Sequence, residues 1–213
     1  MKDLDLNVGP PRGGQRQPYH HGELRPALIQ SAREILEAEG LEALTLRGVA
    51  RRAGVSRQAP YHHFADKHAL LAAVASDGFR ELASESVKRM QSESDHQRRL
   101  NASGVGYVVF AAENPALFQL MFGGLGGRFR SDPELEASRR ASFDVLRDAV
   151  SAVTTDTSAG EDRSNALSAL KAWALVHGLA DLLIKGVVVP GDFSVPGSEA
   201  LAELILAGPT LSP

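Results

Sequence analysis

The stretch GVSRQAPYHHFADKHALL, from Gly54 to Leu71, decides the fold, because it places a tight turn between two short helical patterns. Just before it, Thr45 is predicted to cap a helix whose apolar residues repeat at helical spacing. Within it, Ser56 is predicted to cap a third helix that ends near Phe64. Two short helices joined in this way form a helix-turn-helix, in which the second helix can enter the major groove of DNA.

Three predicted helix starts in this region carry a basic residue where helices favour an acidic one. Arg47, Arg57 and Lys67 each lie one or two residues after a predicted cap. A helix N-terminus bears partial positive charge, so each cation destabilises its helix by roughly a few tenths of a kcal/mol unless something compensates. An anion compensates, because free N–H groups and a cation at one helix end together bind phosphate. For any single cation, ordinary solvated surface is the alternative interpretation.

The outward residues of the predicted third helix are candidate base readers. Arg57 can donate twice to guanine, Gln58 can pair with adenine, and Ala59 is small enough to contact a thymine methyl. Pro60 removes one helical hydrogen bond and is expected to tighten the start of this helix. Phe64 is assigned to the core. The predicted DNA-binding residues are Thr45, Arg47, Arg57, Gln58, Ala59, Tyr61, His62, His63 and Lys67.

The charge of the chain is unevenly distributed along its 213 residues, although its formal net charge is only −3. Residues 1–67 contain ten Lys and Arg against eight Asp and Glu, a net charge of +2, which leaves −5 for residues 68–213. Phosphate binding favours a basic surface. The first part of the chain is therefore the candidate nucleic-acid interface.

The absence of cysteine excludes disulfide bonds, a thiolate nucleophile and a cysteine-based zinc site. We find no signal-like apolar run near Met1 and no stretch of about 18 uncharged apolar residues. The expectation is a cytoplasmic protein that has no membrane segment.

Helical periodicity continues through the rest of the chain, and no run of strict alternation predicts a sheet. We predict an all-α fold in which residues 1–18 form a flexible arm, 19–67 the helix-turn-helix domain, and 68–213 a helical effector-binding and dimerisation domain. Arg12 and Arg16 in the arm either contact DNA or remain without a contact. The remaining helices are predicted at about 22–39, 66–90, 95–112, 115–122, 133–153, 162–188 and 198–206.

The stretch from about Gly22 to Leu71, which includes LIQSAREILEAEGLEALTLRGVARRAGVSRQAPYHHFADKHALL, resembles the tetracycline-repressor (TetR) family of bacterial transcription regulators. The resemblance includes the capping Thr45, VARRAGVS, and the Tyr and Phe of YHHF, whereas Pro60 departs from the leucine of many relatives. AWALVHGLADLL, residues 172–183, is similar to a subset with Trp, three residues, then His-Gly. The resemblance implies an all-helical homodimer that represses transcription and leaves a palindromic, double-stranded operator when a small-molecule effector binds.

The helix predicted from residue 162 is apolar nearly all round, so a partner subunit is expected to cover one of its faces. Trp173 and His177 are its polar-tipped residues. Core packing, with His177 bonded to Asp181 or to a backbone carbonyl, is the alternative to ligand contact, and His177 and Asp181 alone do not make a metal site. The candidate effector pocket comprises Phe110, Phe118, Met121, Phe122, Trp173 and His177.

Two other function classes are alternatives to a DNA-binding regulator. An enzyme is not indicated, because no catalytic serine motif, phosphate loop or dinucleotide fingerprint is found, and no cofactor is predicted. A non-catalytic helical protein-interaction module fits the apolar helices. It leaves the three cations at helix starts unexplained.

Overall fold

The computed structural model describes residues 24–123, 132–154 and 161–208, and the predicted arm lies outside these ranges. The described residues form no strand, so the predicted all-α fold is confirmed. They form eight α-helices: α1 (Leu24–Glu39), α2 (Leu46–Arg52), α3 (Lys67–Gln91), α4 (His96–Glu113), α5 (Pro115–Phe122), α6 (Pro133–Val153), α7 (Glu161–Ile184) and α8 (Ser198–Ala207). Short 3₁₀ turns lie at Ala59–His62 and Pro190–Phe193.

Side-chain caps mark the starts of α2, α3 and α6, and the cap at Thr45 was predicted from the sequence. The Thr45 hydroxyl accepts the N–H of Gly48 at 3.0 Å, so it satisfies one free donor of α2. Asp66 caps α3 in the same way, and Asp132 caps α6 through a 2.9 Å hydrogen bond from the Leu135 N–H. These side chains fix where each helix begins.

The predicted third helix is wrong as an α-helix. Pro60 has no N–H to donate to the Ser56 carbonyl, which instead accepts the N–H of Ala59 at 3.0 Å. Residues 59–62 therefore form a tight 3₁₀ turn, and no side chain caps its start. Arg57 precedes this turn, so it is not placed at an α-helix N-terminus. Pro60 is buried under the turn.

Helix α7 ends four residues earlier than predicted. Gly186 adopts a left-handed φ of 66°, and its N–H donates to the Leu183 carbonyl. The N–H of Val187 reaches back to the Leu182 carbonyl at 3.0 Å. This is the pairing of a glycine-terminated helix, and Gly186 was its signal in the sequence.

One apolar core runs through the described chain. Leu28, Leu44 and Val49 are fully buried between α1 and α2, and Phe64 packs into the same core, as predicted. Helix α3 continues this core from Leu70 towards the second half of the molecule. There it contacts α4, α5 and α6, and α7 and α8 pack on α4. The two halves are therefore joined along α3.

Candidate functional site

An exposed cationic surface is formed by Arg47 and Arg51 of α2 and by Arg57 in the following turn. Arg47 and Arg51 lie four residues apart and so share one face of the helix. Within the described residues, none of the three guanidinium groups makes an ion pair or a hydrogen bond. We call these three residues the cationic surface. Arg51 was not among the predicted DNA-binding residues.

Most of the other predicted DNA-binding side chains are also exposed. Tyr61 has 47% of its surface exposed, although it is a large aromatic residue. Gln58, His62 and His63 are exposed, Ala59 is partly exposed, and Thr45 is exposed while it caps α2. The residues that follow the tight turn between α2 and the 3₁₀ turn thus present rings and polar groups to solvent.

Two of the basic residues in this region have partners inside the protein. Lys67 Nζ donates to the Leu41 carbonyl at 3.0 Å, so its position at the start of α3 is explained without an anion. Arg52 pairs with Glu34 at 2.7 Å, and this hydrogen bond lowers the pKa of the Glu34 carboxyl. Of the three cations predicted at helix starts, only Arg47 therefore lies at the start of an α-helix without a partner among the described residues. The free charge instead lies in the cationic surface.

A second candidate site is a cavity of about 700 Å³ enclosed by α3, α4, α6, α7 and α8, with Phe122 at the end of α5. Of the six predicted pocket residues, only Phe122 and Trp173 line it. Phe110, Phe118 and Met121 are buried in the core and do not line it. Most of the wall was not predicted from the sequence, including Phe79, Leu82, Tyr107, Phe143, Leu146 and Leu170.

The partner of His177 is neither of the two offered by the core-packing alternative, Asp181 or a backbone carbonyl, among the described residues. Its Nδ1 lies 2.8 Å from Tyr107 Oη, whereas Asp181 pairs with Lys185. The Trp173 indole N–H donates to the same Tyr107 oxygen at 3.2 Å, and the tautomer of His177 decides which of Tyr107 Oη and His177 Nδ1 is the donor between them. Burial lowers the pKa of His177 and raises that of Tyr107, so both are neutral at pH 7. Tyr107 lies on α4, far from His177 in sequence, and its contact with His177 was not predicted.

Polar contacts tie the cavity region to α1. Glu134 of α6 accepts a 2.7 Å hydrogen bond from Arg25 of α1 and one of 3.0 Å from Arg80 of α3. Although burial raises the pKa of Glu134, the two guanidinium groups lower it overall. At the start of α5, the Leu117 N–H donates to Glu37 of α1 at 2.9 Å. Both α5 and α6 also contribute residues to the cavity wall, so α1 of the helix-turn-helix domain is bonded to helices that line the cavity, through residues that do not themselves line it.

Family models match most of the chain. The model described as bacterial regulatory proteins, tetR family, matches residues 28–74, and the tetracyclin repressor-like C-terminal domain matches residues 100–207. The chain belongs to the tetR family of bacterial regulatory proteins. The first match covers the cationic surface, and the second covers most of the cavity wall.

Individual tetR-family relatives are distant. The HTH-type transcriptional activator FasR of Mycolicibacterium smegmatis is 27% identical over 67% of this chain and 63% of its own, which is less than two thirds of its length. The HTH-type transcriptional regulator BetI of Vibrio parahaemolyticus is 28% identical over 83% and 84%. A solved structure of a protein with unknown function from Rhodococcus sp. RHA1 is 32% identical, with a TM-score of 0.73 and coverages of 90% and 96%.

Proposed function

We propose that this protein is a cytoplasmic, homodimeric transcriptional regulator that binds a palindromic operator and releases it when a small molecule occupies the cavity. The observation that carries the proposal is the cationic surface, where three unpaired arginines stand beside the exposed Gln58 and Tyr61 of a tetR-family helix-turn-helix. Unpaired guanidinium groups suit phosphate and guanine, which accept hydrogen bonds from them. The proposal assigns no catalytic role.

The residue roles follow from position. Arg57, Gln58 and Ala59 lie in the turn after α2 and are proposed to contact base edges, together with Tyr61 and His62. Arg47, Arg51, Thr45 and His63 are proposed to contact phosphates, which fix the register of the protein on DNA. Lys67 retains donors beyond the one used by the Leu41 carbonyl, so a phosphate contact remains part of the proposal.

A second copy of the chain is proposed to cover the apolar outer face of α7 and α8. Leu167 and Leu182 of α7 and Leu204 of α8 are exposed, and Leu175 and Ile205 are exposed while they also line the cavity. At Gly178, on the same face of α7, a side chain would meet nothing within 4 Å. A symmetric packing of these helices buries this surface and places two recognition segments about 34–36 Å apart, which matches one turn of DNA.

The segment Ser164–Ile184 of α7 is also long and apolar enough to cross a membrane by length and composition, and the bent pair α4 and α5 passes the same test. Only 22% of the qualifying window in α7 is buried within the single chain. A subunit interface has the same composition. Because the chain belongs to a family of regulatory proteins, we propose that a second copy of the chain, and not a membrane, covers this face of α7.

Release is proposed to run through the contacts that join the cavity wall to α1. A ligand that displaces Phe122 or Phe143 shifts α5 or α6, and these helices hold α1 through the Glu37 and Glu134 contacts. A small rotation of α1 changes the separation of the two recognition segments in the dimer. The Trp173 and His177 pair, typical of the proposed subset, is proposed to report occupancy through Tyr107.

The test is selection of bound duplexes from a random pool, followed by affinity measurement across salt concentrations. We expect a palindromic motif and an affinity that falls steeply with salt, with a log-log slope of about 0.9 for each phosphate contact. Arg57→Ala is expected to cost about 1–3 kcal/mol and to relax sequence preference at one position. Arg140→Ala, which removes an exposed arginine from α6, is the matched control.

Three results would contradict the proposal. An affinity for DNA that does not depend on salt would exclude the proposed phosphate contacts. Equal effects of Arg57→Ala and Arg140→Ala would exclude a role of the cationic surface in DNA binding. Binding of protein partners without DNA would favour the helical interaction module. The direction of regulation is tested by a reporter behind the selected operator, which we expect to be expressed more strongly when the protein is absent.

A further inference from the structure

The chemistry of the cavity wall indicates which class of molecule it accepts. The wall is mainly apolar and aromatic, and its aromatic members are Phe79, Tyr107, Phe122, Phe143 and Trp173. A volume of about 700 Å³ lies within the usual range of small-molecule sites. The body of the ligand must therefore be largely apolar.

Charge is nearly absent from this wall. Arg139 is the single Lys, Arg, Asp or Glu among the described residues that line the cavity. Its side chain is 57% exposed and pairs with Glu136 at 2.7 Å, so its charge lies at the rim and is already neutralised. A cationic ligand would meet no carboxylate inside, and an anionic one would have to compete with Glu136. Burying either charge without a partner is strongly unfavourable.

Two buried hydroxyls supply the polar contacts. Ser86 of α3 and Ser103 of α4 line the cavity and are only 7% and 5% exposed. Neither hydroxyl has a hydrogen-bond partner among the described residues. No fully enclosed side-chain N or O atom in those residues lacks a partner, so both oxygens are accessible from the cavity.

The two hydroxyls come from helices in close contact. A Cβ added at Gly106, one turn after Ser103, would lie 3.7 Å from the Cα of Ser86. At the rim, Gln97 Nε2 donates to Asn101 Oδ1 at 3.0 Å, and neither side-chain amide carries a charge. The polar part of the wall is therefore a set of uncharged donors and acceptors.

We propose that the cavity binds an electrically neutral amphiphile, whose apolar body lies against the aromatic wall and whose hydroxyl or carbonyl group bonds Ser86 and Ser103. This inference rests on the effector role proposed above for the cavity. It goes further because it names the charge class of the ligand and the two residues that hold its polar group. A desolvated hydroxyl without a partner is unfavourable, so a ligand that pairs with both serines gains specificity.

The test compares three molecules that share a ten-carbon chain: 1-decanol, decanoate and decylammonium at pH 7.4. Trp173 is the only tryptophan of the chain and lines the cavity, so its fluorescence reports binding to the full-length protein without DNA. We expect 1-decanol to bind at least about tenfold more tightly than either charged molecule, a difference of about 1.4 kcal/mol. Equal or tighter binding of a charged chain would overturn the proposal, as would no change in emission up to the solubility limits.

Variants test the residues. Ser86→Ala with Ser103→Ala is expected to weaken 1-decanol binding about fivefold or more. Ser31→Ala, which removes a similarly buried hydroxyl from α1 away from the cavity, is expected to change nothing. Thermal melts show whether the variants fold. Unchanged 1-decanol affinity in the folded double variant would overturn the assignment of the two serines.

Glu136→Gln provides an independent check. It removes the partner of Arg139 and is expected to raise the affinity for decanoate while leaving 1-decanol unchanged. Unchanged decanoate affinity would overturn the explanation of charge selectivity at the rim. Because these titrations contain no DNA, they stand apart from the release proposal. A neutral ligand that binds but does not displace the operator would contradict release alone.

Discussion

The helix-turn-helix and the cavity region differ in where their unpaired polar groups lie. In the helix-turn-helix these groups point outward to solvent, and in the cavity region they point inward. In the first, the core of α1 and α2 is filled by residues such as Leu28 and Leu44, and the unpaired groups are the outward guanidiniums of Arg47, Arg51 and Arg57. In the cavity region, the unpaired groups are the inward hydroxyls of Ser86 and Ser103.

This difference matches the ligands that we propose. Duplex DNA is a large polyanion that cannot enter a protein, so its recognition needs exposed charge on a rigid support. A small neutral molecule is recognised where water is excluded and where each hydrogen bond counts more. Helix α3 spans both regions, and the hydrogen bonds of Glu37 and Glu134 join α1 to α5 and α6.

The largest expected difference between the two regions is the loss of stability when a leucine side chain is truncated. Leu44→Ala in the filled core is expected to lower the free energy of unfolding by about 2–5 kcal/mol, because Leu44 is fully buried. Leu146→Ala in the cavity wall removes a partly exposed side chain, so we expect a loss below about 1.5 kcal/mol. Urea unfolding at one fixed protein concentration measures both. Similar losses would show that the two interiors are equally packed.

Lys67 tests how structural and DNA-binding roles combine. Lys67→Ala removes the hydrogen bond to the Leu41 carbonyl and is expected to lower the unfolding free energy by about 1 kcal/mol. It is also expected to weaken all duplexes about equally and to lower the salt slope by about one unit. Arg57→Ala, which lacks a protein partner, is expected to leave the unfolding free energy unchanged. A stability loss without any effect on DNA would restrict Lys67 to a structural role.

The ion pair between Arg25 and Glu134 tests the connection between the two regions. Its side chains are 37% and 45% exposed, so solvent screening limits its contribution. A double-mutant cycle with Arg25→Ala and Glu134→Ala is expected to give a coupling energy of about 0.3–1 kcal/mol, which decreases in 1 M NaCl. The pair Arg139 and Glu136, within α6 alone, is the control. Zero coupling at low salt would exclude this contact from the connection.

The pH dependence of His177 is the smallest effect. Because burial lowers its folded-state pKa below the ordinary value of about 6.5, the unfolded chain binds the proton more readily. This contribution to stability is present above about pH 6.5 and is lost as the pH falls through the folded-state pKa. The melting temperature is therefore expected to fall between about pH 7.5 and 5.5, and His177→Gln should reduce that slope. An equal slope in the variant would assign the pH dependence to other groups.

The sequence was sufficient for most of the helices and for three of their caps, because a capping side chain acts within three residues of its own position. Thr45, Asp66 and Asp132 bond donors at that spacing, and Gly40 ends α1 with a left-handed φ of 82°. The local effect of Pro60 was underestimated, since its missing N–H prevents an α-helix at Ala59–His62. That error too was readable from the sequence.

The sequence by itself determined the all-helical fold, the tight turn after α2 and the excess of cations near it, since these depend on neighbouring residues. Only the tertiary structure decided which cations remain free and which residues form the cavity. Lys67 and Arg52 bind partners 26 and 18 residues away, and Tyr107 meets His177 across 70 residues. Such pairings follow from the packing of α3, α4 and α7, and no local pattern encodes the distance between side chains on different helices.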